Sequence, residues 1–432
     1  MSEGTLLESL GAEALATSIA LREASAREVA LAVLDRIALR DDEVRAWVCV
    51  DPDLLLEEAD RFDRAERAMP MGALTGVPVG VKDLIDTADL PTAYGAERYR
   101  GHQPQADAAC VRSLRLAGAT IAGKTVTTEL ALWSVPPTRN PLGSSRTPGG
   151  SSAGSAAAVA DFMVPVAVGA QTAGSVIRPA SYCGVLGFVP TAGRWDRAGL
   201  KPISPSLDRV GVFARTLCDI RLLAAVLDRA PSLPASGGGV RRRWRFGLMS
   251  DLEEAVPGLR PVLERVGQVC RFDSSQLLDE GAVIHDALMR RELRETLRAE
   301  IEDPYGLSDE TRCYLESLRY DAVQIESDEL GRRIVACRQE VHTMFLDCDV
   351  VLASSAAGEA PPATEGTGDP SFCRLWSLLG LPSLSLPVCT GPSGMPVGVH
   401  VVGSAGGDAT VIDAAQSIDD EVRATGMLQW SR

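Results

Sequence analysis

Apolar residues at helical spacing mark the N-terminal part of the chain. Val29, Val33 and Ile37 recur on one face of a helix. The preceding stretch Ser25-Ala26-Arg27-Glu28 has the form of a capping box, in which the serine and glutamate side chains each bind a backbone amide of the other. The sequence therefore predicts that the first fifty residues are largely helical, with one helix beginning after Ser25.

Short apolar runs alternate with helical patterns along the rest of the chain. Strands are predicted at 76–81 (ending at Lys82), 120–122, 164–168, 350–352, 384–386 and 397–402, and helices at 106–117, 155–162 and from Asp408 onward. Residues 279–347 are charged and predicted to form a solvated helical layer packed on the sheet. This alternation predicts an α/β fold with a single large mixed β-sheet surrounded by helices.

Charge and hydropathy narrow the class of protein. The 432 residues contain 43 Lys and Arg against 58 Asp and Glu, a net charge of −15. Such an acidic surface repels phosphate backbones, so we expect no nucleic acid as a direct partner. No apolar run approaches the roughly 18 residues of a membrane span. The first residues lack the basic and apolar regions of a signal peptide. We therefore expect a cytoplasmic protein that does not bind a membrane.

The cysteines and histidines do not form recognisable metal or disulfide patterns. Ten cysteines occur without a CxxC pair, which indicates reduced core residues and no zinc site. Cys183 is predicted to be one such packing residue. Only four histidines occur, and none lies next to a serine-rich motif. This scarcity bears on any serine nucleophile, because most serine hydrolases need a histidine.

One segment imitates a nucleotide-binding loop. GATIAGKT, residues 118–125, matches the pattern GxxxxGK[ST]. A phosphate-binding loop follows a strand and opens a helix, whereas here a helix precedes Gly118 and the segment itself contains the best strand candidate. We interpret it as a helix end, a buried strand and a turn.

Two serine segments flanked by glycine are candidates for chemistry. Residues 147–158 read TPGGSSAGSAAA, and 171–175 read QTAGS. One helix–strand unit separates them, so the second segment can return toward the first, and Lys82 ends a strand of the same sheet. A lysine within reach of two serines can transfer protons without histidine. Spacing alone leaves open whether the three converge, and whether the first segment is a linker, a phosphate cradle or a catalytic loop.

These segments, with the blocks around them, resemble the amidase signature family of Ser–cis-Ser–Lys amide hydrolases. The blocks GVPVGVKDLIDTADLPTAYG, AGATIAGKTVTTELA, TRNPLGSSRTPGGSSAGSAAAVA, DRVGVFARTLCD and GLPSLSLPV fall in the family's order. The resemblance implies one domain over 1–432. Its catalytic core covers about 65–230 and a helical and strand part about 245–432, with linker-like residues 229–242 between them.

The resemblance implies a role for each member of a triad. Lys82 is implied as the base, Ser151 as the relay on a cis peptide, and Ser175 as the nucleophile. Burial favours the neutral lysine that a base requires, and a serine hydroxyl can both donate and accept a proton.

The resemblance also implies the surroundings of the triad. The oxyanion hole is implied to consist of the amides of Thr172, Ala173, Gly174 and Ser175. Supporting or substrate-binding residues are implied at Ser152, Gln171, Leu130 and Trp133.

Three departures from the family pattern bear on the substrate. Gln171 stands where many members have aspartate, Ala173 replaces a common glycine, and Arg178 lies three residues after Ser175 where two is common. These features resemble small-molecule amidases and biuret- or allophanate-type hydrolases more than the glutamine-dependent tRNA amidotransferase subunit.

The function predicted from the sequence is hydrolysis of a small-molecule amide through an acyl-enzyme on Ser175. No metal and no organic cofactor are implied. The sequence leaves open whether the protein forms a homodimer. One alternative is an amidotransferase-like subunit that releases ammonia, or an amide-forming acyl-transfer enzyme with the same triad. The others are a non-catalytic scaffold and a P-loop nucleotide hydrolase.

Overall fold

A mixed β-sheet organises the fold. The computed structural model describes residues 10–64, 72–229, 243–273, 275–320 and 325–427. The strands in these ranges are β1 Trp47–Cys49, β2 Pro78–Lys82, β3 Thr120–Thr125, β4 Val166–Gln171, β5 Leu186–Val189, β6 Arg209–Ala214, β7 Trp244–Met249, β8 Gly267–Phe272, β9 Val350–Ser354, β10 Ser383–Thr390 and β11 Pro396–Val402. They form one sheet in the order β1-β3-β2-β4-β6-β5-β10-β11-β9-β7-β8. The predicted single mixed sheet is confirmed.

Parallel and antiparallel pairs alternate in blocks. β2 pairs parallel with β3 and β4, and β7 pairs parallel with β8 and β9. The remaining neighbours are antiparallel. Strands from the two parts of the chain join where β5 pairs with β10, so that one sheet runs through both parts.

Helices surround the sheet. Those of the described ranges are α1 Ala12–Ala20, α2 Ala26–Val44, α3 Pro52–Arg64, α4 Ala109–Leu116, α5 Ala153–Ala160, α6 Ile177–Cys183, α7 Leu217–Leu227, α8 Ser250–Ala255, α9 Leu259–Val266, α10 Ser275–Thr296, α11 Arg298–Glu302, α12 Asp309–Arg319, α13 Ser327–Asp347, α14 Ser371–Leu378 and α15 Asp408–Thr425. Within the described chain, none of these is long and apolar enough to cross a membrane.

Local sequence signals explain several element boundaries. The predicted capping box starts α2: the Glu28 amide donates to Ser25 Oγ at 3.0 Å, and the Ser25 amide donates to Glu28 Oε2 at 2.7 Å. The strand predicted at 164–168 begins later, at Val166, and ends at Gln171. Pro165 lacks the amide hydrogen that a ladder position needs, so the strand starts after it.

The segment that imitates a nucleotide-binding loop is structural. Helix α4 stops before Gly118, whose φ of +92° favours glycine, and Lys124 lies inside the fully buried strand β3. Lys124 Nζ donates hydrogen bonds to Ile85 O and Thr92 Oγ1, at 2.9 and 2.5 Å. The predicted helix end and buried strand are confirmed, but the predicted turn is wrong, because β3 continues through Lys124 to Thr125.

The charged region 279–347 forms helices α10 to α13. Helix α10 is not only a solvated outer helix, because it also contributes buried residues. Helix α10 packs against α14 and α13, and its residues Ile284 and His285 are fully buried. The linker-like stretch lies outside the described residues except for Arg229, as do the first nine residues.

Candidate active site

Lys82 lies where the ends of two parallel strands meet. It ends β2, and the parallel neighbour β4 ends at Gln171. Because the carboxyl ends of parallel strands share one edge of a sheet, the loops that follow them converge there. Lys82 Nζ donates hydrogen bonds to Ser151 Oγ at 2.7 Å and to Ala170 O at 3.3 Å, and its side chain is fully buried.

Ser151 and Ser152 precede α5 and face this edge of the sheet. The Gly150–Ser151 peptide is cis. Ser152 Oγ donates to Ala170 O at 3.2 Å, which ties the serine loop to the end of β4. Both serines are buried.

Ser175 lies on the loop between β4 and α6, and only 9% of its surface is exposed. It shares a cavity of about 20 Å³ with Ser151. The other residues that line this cavity are Ala131, Leu132, Trp133, Thr172, Ala173, Arg178, Ile203, Met289 and Pro370. Lys82, Ser151 and Ser175 therefore come together, Lys82 through its contact with Ser151 and the two serines across the cavity.

The loop at 172–175 carries free hydrogen-bond donors. Within the described part of the chain, none of the amides of Thr172, Ala173, Gly174 and Ser175 donates a hydrogen bond to the protein. A Cβ on Gly174 would lie 3.0 Å from Cys373 Cβ, so the loop passes close to α14. Unpaired backbone amides beside a candidate nucleophile are suited to binding a negatively charged oxygen.

Two polar side chains hold the start and the middle of this loop. Gln171 Oε1 accepts hydrogen bonds from the amides of Val176 and Ile177, at 2.9 and 3.1 Å. Gln171 Nε2 donates to Ser377 Oγ, and Ser377 Oγ donates in turn to Ala173 O at 2.5 Å. Gln171 therefore shapes the loop without lining the cavity.

Thr172 is fixed from two further directions. Its hydroxyl donates to Asp208 Oδ1 at 2.6 Å, and its carbonyl accepts a hydrogen bond from His285 Nε2 at 3.0 Å. Burial lowers the pKa of His285 to about 3, outweighing the opposing hydrogen bond to Thr172. His285 is thus neutral at ordinary pH and serves as a fixed donor on α10.

Burial sets the charge of the candidate base. It lowers the pKa of Lys82 to about 7, against the opposing pull of the Asp208 carboxylate and with a smaller contribution from Arg178. Burial also raises the pKa of Asp208 to about 6, against hydrogen bonds from Thr172, Ile203 and Ser204. Near neutral pH a large fraction of Lys82 is therefore the free amine.

Arg178 is a buried cation on the wall of the cavity. Its Nη2 donates to Gly150 O at 2.6 Å and its Nε donates to Thr367 O at 2.8 Å. Its Nη1 has no hydrogen-bond partner among the described residues. Burial lowers the pKa of Arg178. One guanidinium donor at the cavity is thus available to a bound molecule.

The two predicted pocket residues differ in position. Trp133 lines the cavity, with Ala131 and Leu132 beside it. Leu130 does not: it is fully buried in the hydrophobic core. A short 3₁₀ turn, Glu129–Ala131, directs successive side chains to opposite environments.

Sequence reasoning missed three residues that support the loop: Asp208, His285 and Ser377. Asp208 opens the block DRVGVFARTLCD, so its position in a family block was a usable signal. His285 and Ser377 lie on helices more than one hundred residues away, and no local pattern marks them. Among the described residues, no group of three or more His, Cys, Asp or Glu side chains is arranged to hold a metal ion.

Comparison with known proteins identifies amidases and an amidotransferase subunit as similar proteins. A family model named Amidase matches residues 28–233. A glutamyl-tRNA(Gln) amidotransferase subunit of Acidothermus cellulolyticus is 32% identical over 457 residues, covering 90% of this chain and 89% of that protein.

Solved structures share the whole fold. The native peptide amidase of Stenotrophomonas maltophilia has a TM-score of 0.81 and 25% identity, with 97% of this chain and 98% of that chain covered. A structure described as a vestigial protein complex that reveals the origins of an s-triazine catabolic enzyme has a TM-score of 0.85 and 25% identity, covering 97% and 99%. The chain therefore belongs to the amidase family and is an enzyme that acts on amide C–N bonds.

Proposed function

We propose that this chain cleaves an amide bond through an acyl-enzyme on Ser175, with Lys82 and Ser151 moving the protons. The observation that carries the proposal is the 2.7 Å contact between Lys82 Nζ and Ser151 Oγ, beside a cavity that Ser151 shares with Ser175. Burial of Lys82 supports it, because only the neutral amine can accept a proton.

The acylation step follows from these positions. Ser175 Oγ attacks the amide carbonyl while its proton passes to Ser151 Oγ, and the Ser151 proton passes to Lys82 Nζ. The negatively charged oxygen that forms takes hydrogen bonds from the amides of residues 172–175. The C–N bond then breaks as Ser151 protonates the departing nitrogen and regains a proton from Lys82.

Deacylation uses the same groups with water as nucleophile. Ser151 and Lys82 take a proton from the water as it attacks the Ser175 ester, and Ser175 recovers its proton when the acid leaves. The Arg178 Nη1 donor on the cavity wall is positioned to bind an oxygen of the acyl part during both steps. The described contacts include no hydrogen bond between Ser151 Oγ and Ser175 Oγ, although both residues line the cavity. We expect this hydrogen bond to form when the substrate binds.

The sequence relatives favour a second function over simple hydrolysis. The relative from Acidothermus cellulolyticus is one subunit of a glutamyl-tRNA(Gln) amidotransferase. A chain that works in this way would release ammonia from an amide for use by a partner protein. Gln171, Ala173 and Arg178 depart from the family pattern in a way that favours a small-molecule hydrolase. The similarity to an amidotransferase subunit over most of both chains is the more direct support, and it favours the amidotransferase alternative.

A fluorophosphonate probe tests the shared chemistry. We expect wild-type protein to be labelled on Ser175, and labelling to disappear in Ser175→Ala. Ser393→Ala, an exposed serine on the turn before β11, is the matched control and should be labelled like wild type. Labelling that persists in Ser175→Ala would exclude Ser175 as the nucleophile.

Ammonia release separates the two functions. Free hydrolysis predicts turnover of simple primary amides by the chain alone. Amidotransferase function predicts slow release by the chain alone and faster release once a partner protein is added.

A further inference from the structure

A second, larger cavity adjoins the candidate active site, and it is lined by arginines. It has a volume of about 560 Å³ and lies between α10, α14 and the start of α13. The charged residues lining it, among those described, are Arg290, Arg291, Arg294, Arg374, Asp286 and Glu326. We call this cavity the arginine vestibule. Its excess of positive charge contrasts with the net charge of −15 of the whole chain.

Trp133 and Arg374 lie between the arginine vestibule and the cavity shared by Ser151 and Ser175, which we call the catalytic cavity. Trp133 lines the catalytic cavity, and the Arg374 guanidinium lies 5.8 Å from the centre of its ring. Arg374 lines the arginine vestibule on the other side. On α10, Met289 faces the catalytic cavity and the next residue, Arg290, faces the vestibule.

The vestibule follows one face of α10. Asp286, Arg290 and Arg294 are spaced four residues apart and so lie on the same side of the helix, over about 12 Å. Arg290 also lies over the ring of Tyr314, which contacts Trp133 edge-on. The middle of this stripe, Arg290, is therefore linked to the cavity wall through Tyr314 and Trp133.

Arg374 has hydrogen-bonding capacity to spare. Its Nη1 lies 3.5 Å from Asp286 Oδ1, a long ion-pair contact. Its Nε is buried and has no hydrogen-bond partner among the described residues. A buried guanidinium donor without an acceptor costs free energy unless a ligand fills that place.

We propose that the arginine vestibule binds an anionic group of the substrate, a carboxylate or phosphate, that a linker separates from the amide that is cleaved. The inference rests on the proposed function for the reacting group and adds the class of substrate. A volume of about 560 Å³ is large enough for a linker and a terminal anion. Arginine is suited to such groups because its fork of donors matches their oxygens.

Binding to an inactive protein tests the vestibule without requiring any reaction. Calorimetry on Ser175→Ala should show suberamate, an amide with a terminal carboxylate, binding about tenfold more tightly than the neutral suberamide. Arg374→Gln and Arg291→Gln should each reduce this ratio. The matched control is Arg332→Gln, an exposed arginine of α13 outside the vestibule, which should keep it.

The outcomes are decisive in both directions. Equal binding of the two probes, or a preference that survives in both vestibule variants, overturns the proposal. Arg291 is exposed, so its variant remains informative if Arg374→Gln fails to fold. A 7-phosphonoheptanamide probe that binds more tightly than suberamate would assign the anion to the phosphate class, and the reverse order to the carboxylates.

Turnover separates this proposal from the proposed function. In wild-type protein, kcat/KM for suberamate should exceed that for suberamide, and the excess should fall as salt rises. If the protein prefers suberamate in binding but turns over no amide, the proposed anion binding in the vestibule is supported and amide cleavage by Ser175 is rejected. Ser175-dependent turnover without a preference would do the opposite.

Discussion

Lys82 Nζ lies 2.7 Å from Ser151 Oγ, and the side chain of Lys82 is fully buried. The lysine comes from the end of β2 and the serine from the loop before α5, 69 residues later. In the proposed mechanism, burial keeps part of the Lys82 amine neutral so that it can act as the base, and Ser151 passes its proton to this amine.

The first prediction concerns the proton-accepting role of Lys82. Lys82→Met should lower kcat by a factor on the order of 10² to 10⁴, the usual contribution of a positioned acid or base. Lys82→Arg should lose about as much, because a guanidinium keeps the positive charge but does not give up its proton near neutral pH. Steady-state kinetics measures both. Activity retained in Lys82→Arg would mean that the position needs only a charge.

The second prediction is a pH dependence. Since Lys82 must be neutral and burial lowers its pKa to about 7, kcat/KM should rise with pH and reach half its maximum near pH 7. The Asp208 carboxylate opposes this lowering, so Asp208→Asn should move the midpoint to lower pH.

The control for this shift is Asp420→Asn, which removes the same charge from the exposed face of α15. It should leave the midpoint in place. A midpoint that does not move in Asp208→Asn would show that Lys82 is not the titrating group.

The third prediction concerns His285, which supports the loop through Thr172 O. His285→Leu removes the hydrogen bond that α10 donates to Thr172 O. We expect kcat to fall about tenfold, with a smaller change in KM. Because His285 is neutral well above its pKa of about 3, the loss should be the same at pH 6 and pH 9.

His342→Leu, at an exposed position of α13, is the comparison for this substitution. His285→Gln, which restores an amide donor, should recover part of the rate. Equal losses in His285→Leu and His285→Gln would point to packing rather than to the hydrogen bond.

The fourth prediction concerns stability. Gln171→Leu would leave the buried amides of Val176 and Ile177 without an acceptor, and each such group costs about 1–3 kcal/mol. We expect the free energy of unfolding in urea to fall by about 2 kcal/mol or more. Gln339→Leu, on the exposed face of α13, should change it by less than about 0.5 kcal/mol. A similar small change in Gln171→Leu would contradict the assigned role.

Much of the fold could be predicted because its signals are local. The capping box before α2, the apolar runs of β2 and β3, and the stop at Gly118 each depend on a few neighbouring residues. Apolar character alone places the start of β4 two residues too early, because it does not register that Pro165 has no amide hydrogen to give the ladder.

The candidate site could be predicted only in part. The segments that contain Lys82, Ser151 and Ser175 could be predicted from their glycines and from the end of a strand. The choice of these three residues rested on the resemblance to the amidase signature family. Leu130 was expected in the pocket but lies in the core, within the 3₁₀ turn Glu129–Ala131, whereas Trp133, after this turn, lines the cavity.

The sequence by itself determined the α/β fold, the family and the segments from which the candidate triad comes, since these depend on periodicity and motif order along the chain. Only the tertiary structure decided that Asp208 and His285 hold the loop at Thr172, and that arginines of α10 and α14 line a second cavity. The physical reason is that burial, charge–charge distance and cavity shape arise when distant segments pack together, and no single segment carries them.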